Sequence, residues 1–353
     1  MESLPISIEP PEEYLSIQTI QTADRRWWFR DYSPDLLSAF FRSAGLTPQQ
    51  QTELLDRSKW EQVKGETVIA PSTELVLSLS SQARKQIYGT LASNPDNIVM
   101  HVRCSFPKDR FDSMLAESGL PAEAVALIRR LTFPHGRFLF FCDAPAVLDT
   151  LEKYEQKVSF IKMLARKDTL LLKLHVMPDS DINTLVNYWV KAAWGKDVKP
   201  MLESLTKVPG GARISVVHLL PPMPTACLYT YPFPSTNPTD LHKDCHWTAL
   251  NFFRDPPDPS FTNGEVVRQT ILKDYYPVLS DPRYGDVIML TRSDGSIIHS
   301  AVYIADNIVY TKNSPLYLDP FILMTIPDMI DKFEAFLPEN ERLKMQVFRN
   351  KYY

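Results

Sequence analysis

Hydrophobic positions in the carboxy-terminal third fall in short runs closed by turn residues, a pattern of closely spaced antiparallel strands. Runs at 287–291, 297–304 and 308–313 are separated by Ser293-Asp294-Gly295 and Ala305-Asp306-Asn307, which predicts strands joined through hairpin turns. A helix over 327–336 and a last strand over 345–349 follow. Upstream the period changes: Leu75, Val76, Leu79, Ala83 and Ile87 mark one helical stripe over 73–91. Further helices are expected near 121–131, 144–166, 180–194 and 198–206, with strands at 97–104, 137–142, 169–177 and 212–219. In the first of these strands Ile98, Met100, Val102 and Cys104 share a face by alternation. Thr47-Pro48 opens a short helix reaching Asp56 in the favoured order of cap, then proline.

Pro209-Gly210-Gly211 reads as a turn and Leu220-Pro221-Pro222-Met223-Pro224 as an inter-domain strap. The expected class is α+β, divided into a mixed helix-and-strand domain over 1–222 and a second domain over 223–353. Arg25-Arg26-Trp27-Trp28-Phe29-Arg30 reads as aromatic anchors packed under arginine stems.

Composition narrows the function. At 353 residues, 44% hydrophobic and 23% charged, the chain has the make-up of an ordinary folded protein. A net charge of −4 gives no footprint for nucleic acid. Neither a GxGxxG nor a GxxxxGK[ST] string occurs, so the usual nucleotide signatures are missing. No apolar run approaches the roughly 20 residues of a membrane span. The first residues lack a basic stretch followed by an apolar one, so no signal peptide is expected in this chain. That favours a cytoplasmic location, or the cell envelope if an export signal has been removed. The four cysteines, Cys104, Cys142, Cys227 and Cys245, form no CxxC pair, which favours free thiols.

The candidate chemistry lies in 244–253, a predicted helix with Asp244 as N-cap and Pro256-Pro257 beyond its end. Cys245 in the first turn lies at the positive end of the helix dipole, which favours its thiolate. Cys245, Ala249 and Phe252 share one face, and the small Ala249 lets a strand approach. His299 opens the strand hairpin and can serve as general base and acid. If the hairpin turns about Asp306, Asn313 lies opposite His299 and can orient the ring. A shift of one residue brings Thr311, Lys312 or Ser314 there instead. The backbone N–H of Cys245 is the natural oxyanion donor.

With these residues in hand, 225–353 resembles an NlpC/P60 domain, a papain-like cysteine peptidase fold. The matching pieces are Asp244-Cys245 at a helix start, Arg283-Tyr284-Gly285-Asp286-Val287-Ile288, similar to the family's "pGDlv" strand entry, and His299-Ser300-Ala301-Val302-Tyr303-Ile304, similar to its "HvgiYl" strand. The resemblance implies a cysteine-bearing helix packed on an antiparallel sheet. It also implies hydrolysis of an amide bond, most often in peptidoglycan stem peptides, through an acyl-thioester and without a cofactor. It places a tyrosine near the oxyanion site, for which Tyr231 is the nearest match and Tyr229 the second. The chain departs from the family in following its cysteine with His246-Trp247 where Ser-Gly is usual, which sets bulk at the substrate's approach.

Other readings compete. A non-catalytic binding or assembly module on a degenerate version of the fold is motivated by His246-Trp247. His242, Cys245, His246 and His299 could be read as metal ligands, but a first-turn cluster without a second pair is poor support. Cys142, although it too precedes a helix, reads as structural, and His101, His135, His175 and His218 carry no role.

Overall fold

The computed structural model describes residues 1–92, 94, 96–97, 104–191, 195, 197–234, 243–335, 337 and 341–352. It is 41% helical and 24% strand with several antiparallel sheets, an α+β protein. Two compact units form: Met1–Tyr14 with Arg166–Tyr353, and Leu15–Ala165. This differs from the expected division at 222. The stretch after Arg166 buries Leu172, Leu174, Val176, Trp189 and Leu202 in one core with Trp247, Phe252, Val302 and Tyr310, so it belongs with the carboxy-terminal elements.

In the larger unit, strands β1 (Glu2–Ile8), β2 (Lys167–Val176) and β3 (Ala212–Ser215) make a three-stranded antiparallel sheet. Six more strands follow: β4 (Tyr275–Val278), β5 (Val287–Thr291), β6 (Ile297–Ala305), β7 (Ile308–Lys312), β8 (Phe321–Thr325) and β9 (Lys344–Asn350). They form an antiparallel sheet in the order β4-β9-β5-β6-β7-β8. The Thr169 hydroxyl ties the two sheets, donating to the Leu323 carbonyl and accepting from its N–H, both at 3.0 Å.

The unit's helices are α1 (Ile182–Trp189), α2 (Val198–Leu205), α3 (Pro222–Cys227), α4 (Cys245–Leu250), α5 (Gly264–Asp274) and α6 (Ile326–Glu334). Strands β5 to β7 are buried on both sides. Val287, Met289, Val302, Ile304 and Tyr310 meet the core that holds α4. Ile288, Leu290, Ala301, Tyr303 and Val309 meet Met329 and Phe333 of α6. Double-sided burial explains why these strands read as near-continuous apolar runs.

The glycine of the Tyr284-Gly285-Asp286 turn is there for space and conformation. Gly285 has φ +89°, and a Cβ on it would lie 2.4 Å from Phe253 Cε2. Phe253 cannot readily yield, because its ring is wedged between Phe252 (4.9 Å) and Tyr284 (5.8 Å). Gly285→Ala is expected to cost about 2 kcal/mol or more from strain and overpacking together. Urea unfolding checks it, and a loss below about 0.5 kcal/mol would contradict the packing argument.

The smaller unit carries two three-stranded sheets, 27–29 with 66–69 and 60–63, and 104–107 with 138–141 and 133–135. Trp27 and Phe29 are buried and the Arg26 guanidinium lies 5.1 Å from the Trp28 ring centre, the anchor arrangement expected for that cluster. The expected helix over 73–91 is two, Thr73–Ser78 and Ser81–Leu91, because the Ser80 hydroxyl accepts from Ala83 N–H and starts a new helix. The expected helix over 144–166 likewise divides into Ala144–Leu148 and Tyr154–Ala165. The expected strand over 97–104 falls largely outside the described residues, and Cys104–Pro107 forms a strand at its end. No helix among the described residues is long and apolar enough to cross a membrane.

Candidate functional site

Helix α4 begins where the sequence places it. The Asp244 carboxylate accepts from Trp247 N–H at 2.8 Å, and Cys245 occupies the first turn. The backbone amides of Ser300, Cys245 and His246 favour the Cys245 thiolate. Burial outweighs them: together with the neighbouring Asp244 carboxylate it pushes the thiol up to about 12. The helix packs against both β6 and β7.

His299 is fully buried within β6. Its ring stacks on Phe333 of α6 at 4.0 Å between centres, and its Nε2 meets the Thr311 hydroxyl at 2.8 Å. Burial holds the imidazole well below its usual range, and His246 and Lys332 add to the effect. Nδ1 of His299 is buried without a partner. The His299 ring faces α6, on the side of β6 opposite α4, and no hydrogen bond joins thiol and imidazole. With the thiol raised and the imidazole lowered, both are neutral at pH 7.

At His299 Nε2 the structure places Thr311, one of the alternatives, and not Asn313. The pairs Val302 with Tyr310 and Tyr303 with Val309 confirm the hairpin register that sets position 313 across from 299. Strand β7, however, ends at Lys312. Thr311, on the same side of the strand, reaches Nε2 diagonally, and its hydroxyl also meets the Ser300 carbonyl at 3.2 Å. Asn313 Oδ1 is left buried and unpaired.

The remaining expected site residues divide. His246 Nδ1 meets the Ser300 hydroxyl at 2.8 Å, and burial lowers this imidazole as well. Trp247 does not stand at a substrate entrance. It is a core residue, 3% exposed, because the third position of the helix faces inward against Phe321. Tyr231 donates its hydroxyl to the Ile8 carbonyl at 3.0 Å, and Tyr229 to the Leu170 carbonyl at 2.6 Å. Both hydroxyls are committed to the backbone of the three-stranded sheet, which corrects the expectation of a tyrosine at the oxyanion position. His242 and His101 lie outside the described residues.

Sequence reasoning gave no role of its own to Lys312, a fully buried lysine beside this cysteine. Its ammonium donates to the carbonyls of Ser314 and of Leu316 (2.8 Å). The sign in the sequence was a charged residue at the end of an otherwise apolar strand.

In the smaller unit Cys142 is buried, as expected for a structural thiol. It lines an open cavity with Trp27, Val76, Tyr88 and Asp143. Asp143 there pairs with the fully buried Arg84 and accepts the Tyr88 hydroxyl at 2.6 Å.

No protein-family model, no curated protein and no solved structure matches this chain.

Proposed function

We propose that the larger unit is a papain-like cysteine hydrolase that cleaves an amide bond in a peptide or cell-wall-derived substrate. One observation carries the reading: Cys245 lies in the first turn of α4, where neighbouring backbone amides favour its thiolate, and α4 packs on β6, the strand in which His299 has Nε2 held by Thr311 and a buried, unpaired Nδ1. Cys245 is the nucleophile, His299 the base and acid, and Thr311 the group that fixes the ring.

As the sulfur attacks the scissile carbonyl, its proton passes to His299 Nδ1. The negative oxygen is met by the Cys245 N–H. His299 then returns the proton to the departing amine, leaving a thioester, which water hydrolyses with the same imidazole as base. His299 faces α6 while α4 packs on the other face of β6, so the thiol–imidazole hydrogen bond requires β6 to rearrange when substrate binds. Amide-bearing peptides, among them peptidoglycan stem fragments, are the substrates to try.

A second reading, a binding or assembly module without catalysis, is favoured by the burial that pushes the thiol up to about 12. Alkylation with iodoacetamide at pH 7.5, mapped by peptide mass, separates the two. The hydrolase predicts that Cys245 reacts faster than Cys104, Cys142 and Cys227 and is slowed at least about tenfold in His299→Ala. Equal or slower reaction at Cys245, indifferent to His299, would leave the binding module.

A further inference from the structure

We propose that Lys312 is the cation that stabilises the Cys245 thiolate, supplying the positive charge that a histidine gives in an ordinary thiol–imidazole pair. The inference rests on Cys245 being the reactive thiol, and it deepens that reading by moving the charge from β6 to β7.

The register carries it. Extending the pairs Val302 with Tyr310 and Tyr303 with Val309 sets Lys312 opposite Ser300. Ser300 is the residue whose hydroxyl meets His246, the neighbour of Cys245 in α4, at 2.8 Å. Helix α4 packs on both β6 and β7, and its Cys245 and Asp244 are among the groups that act electrostatically on Lys312.

Lys312 is also held as a charge would be held. Its side chain is fully buried, with two of three ammonium protons given to the Ser314 and Leu316 carbonyls. Among the described residues the third proton has no acceptor. Buried ammonium groups are costly without compensating partners, so an unfilled donor beside a nucleophile needs a reason.

The charged and titratable groups around it are Asp319, Cys245 and Asp244. Asp319 is shared with Lys167 at 3.3 Å and with Lys332, so it does not neutralise Lys312 alone. In the resting protein His299 is buried against Phe333 and held neutral, so it carries no charge to stabilise a thiolate before substrate binds. Burial lowers the Lys312 ammonium to about 8, with Asp319 and Cys245 pulling it back up. Below that pH the lysine is cationic and lowers the energy of the thiolate; above it the help is lost.

The test is the pH profile of Cys245 alkylation by iodoacetamide in wild type, Lys312→Met and Lys312→Arg, with near-ultraviolet circular dichroism to confirm folding. Wild type is expected to react at least about tenfold faster than Lys312→Met below pH 8, the gap closing above it. Lys312→Arg, whose guanidinium stays charged, keeps its advantage to higher pH. A constant ratio across the range, or no difference, overturns the proposal. Should Lys312→Met fail to fold, coincident profiles of wild type and Lys312→Arg across pH 8 overturn it equally. Alkylation reads the thiol and not turnover. A normal lysine effect without amide hydrolysis would therefore remove the hydrolase and keep Lys312; hydrolysis with a flat ratio would do the reverse.

Discussion

Cys245→Ala is expected to abolish amide hydrolysis and every trace of acyl capture, with a stability change of about 1 kcal/mol or less. The reasoning is chemical. The other thiol of the larger unit, Cys227, lacks this combination of a first-turn position, backbone amides that favour the thiolate and a histidine as the next residue. Cys227 lies in α3 with its thiol raised by burial and Lys243 as its one charged influence, so it offers no substitute. Losing one sulfur, an atom of roughly methyl size, puts the cost at the low end of core truncations. Turnover of a fluorogenic peptide amide and intact-mass analysis after incubation with an acyl donor measure both halves. Residual hydrolysis within tenfold of wild type would remove Cys245 as nucleophile.

The largest stability effect is expected at Asp286. This carboxylate is 2% exposed and takes both Nε (2.8 Å) and Nη2 (2.7 Å) of Arg349, a two-point clamp between the entry to β5 and strand β9. One of its oxygens also accepts from Arg283 N–H at 2.8 Å, closing the turn that holds Gly285. Asp286→Ala leaves a partly buried guanidinium without its partner and an open turn, at a cost of about 3–5 kcal/mol. Removing both charges, in Asp286→Ala with Arg349→Met, is expected to cost less than the carboxylate alone, since no unpaired charge remains. Urea unfolding of the two single variants and the double variant tests this. A single-variant cost under about 1 kcal/mol would show the pair to be no more than a surface contact.

The Asp286 clamp gives a structural meaning to a sequence pattern. Gly285-Asp286 was read through its resemblance to a strand entry, and the structure assigns the glycine to the space under Phe253 and the aspartate to Arg349. Those residues build the scaffold of the candidate site without touching the sulfur.

Local pattern determined a good deal. Strands 287–291, 297–305 and 308–312 and the helix at 326–334 follow from alternation, hairpin turns and the Thr325 cap, all interactions within a few residues. The helix start at Cys245 follows from Asp244, whose carboxylate reaches only three residues ahead. Edge strands 2–8 and 275–278 escaped the pattern, since an edge strand with a proline and exposed positions lacks a clean period, and the short buried run 321–325 was missed as well.

The rest was decided by contacts between residues distant in sequence. Burial of 172–202 against Trp247 moved the domain boundary, because a shared core and not a proline strap defines a unit. The exchange of Asn313 for Thr311 came from where β7 stops, a matter of one residue that hydropathy cannot resolve. Inward-facing Trp247, the tyrosines spent on backbone carbonyls and the burial that makes thiol and imidazole neutral all depend on what packs across from them. Sequence named the chemical groups; only the folded chain sets their neighbours, and desolvation by those neighbours fixes their protonation.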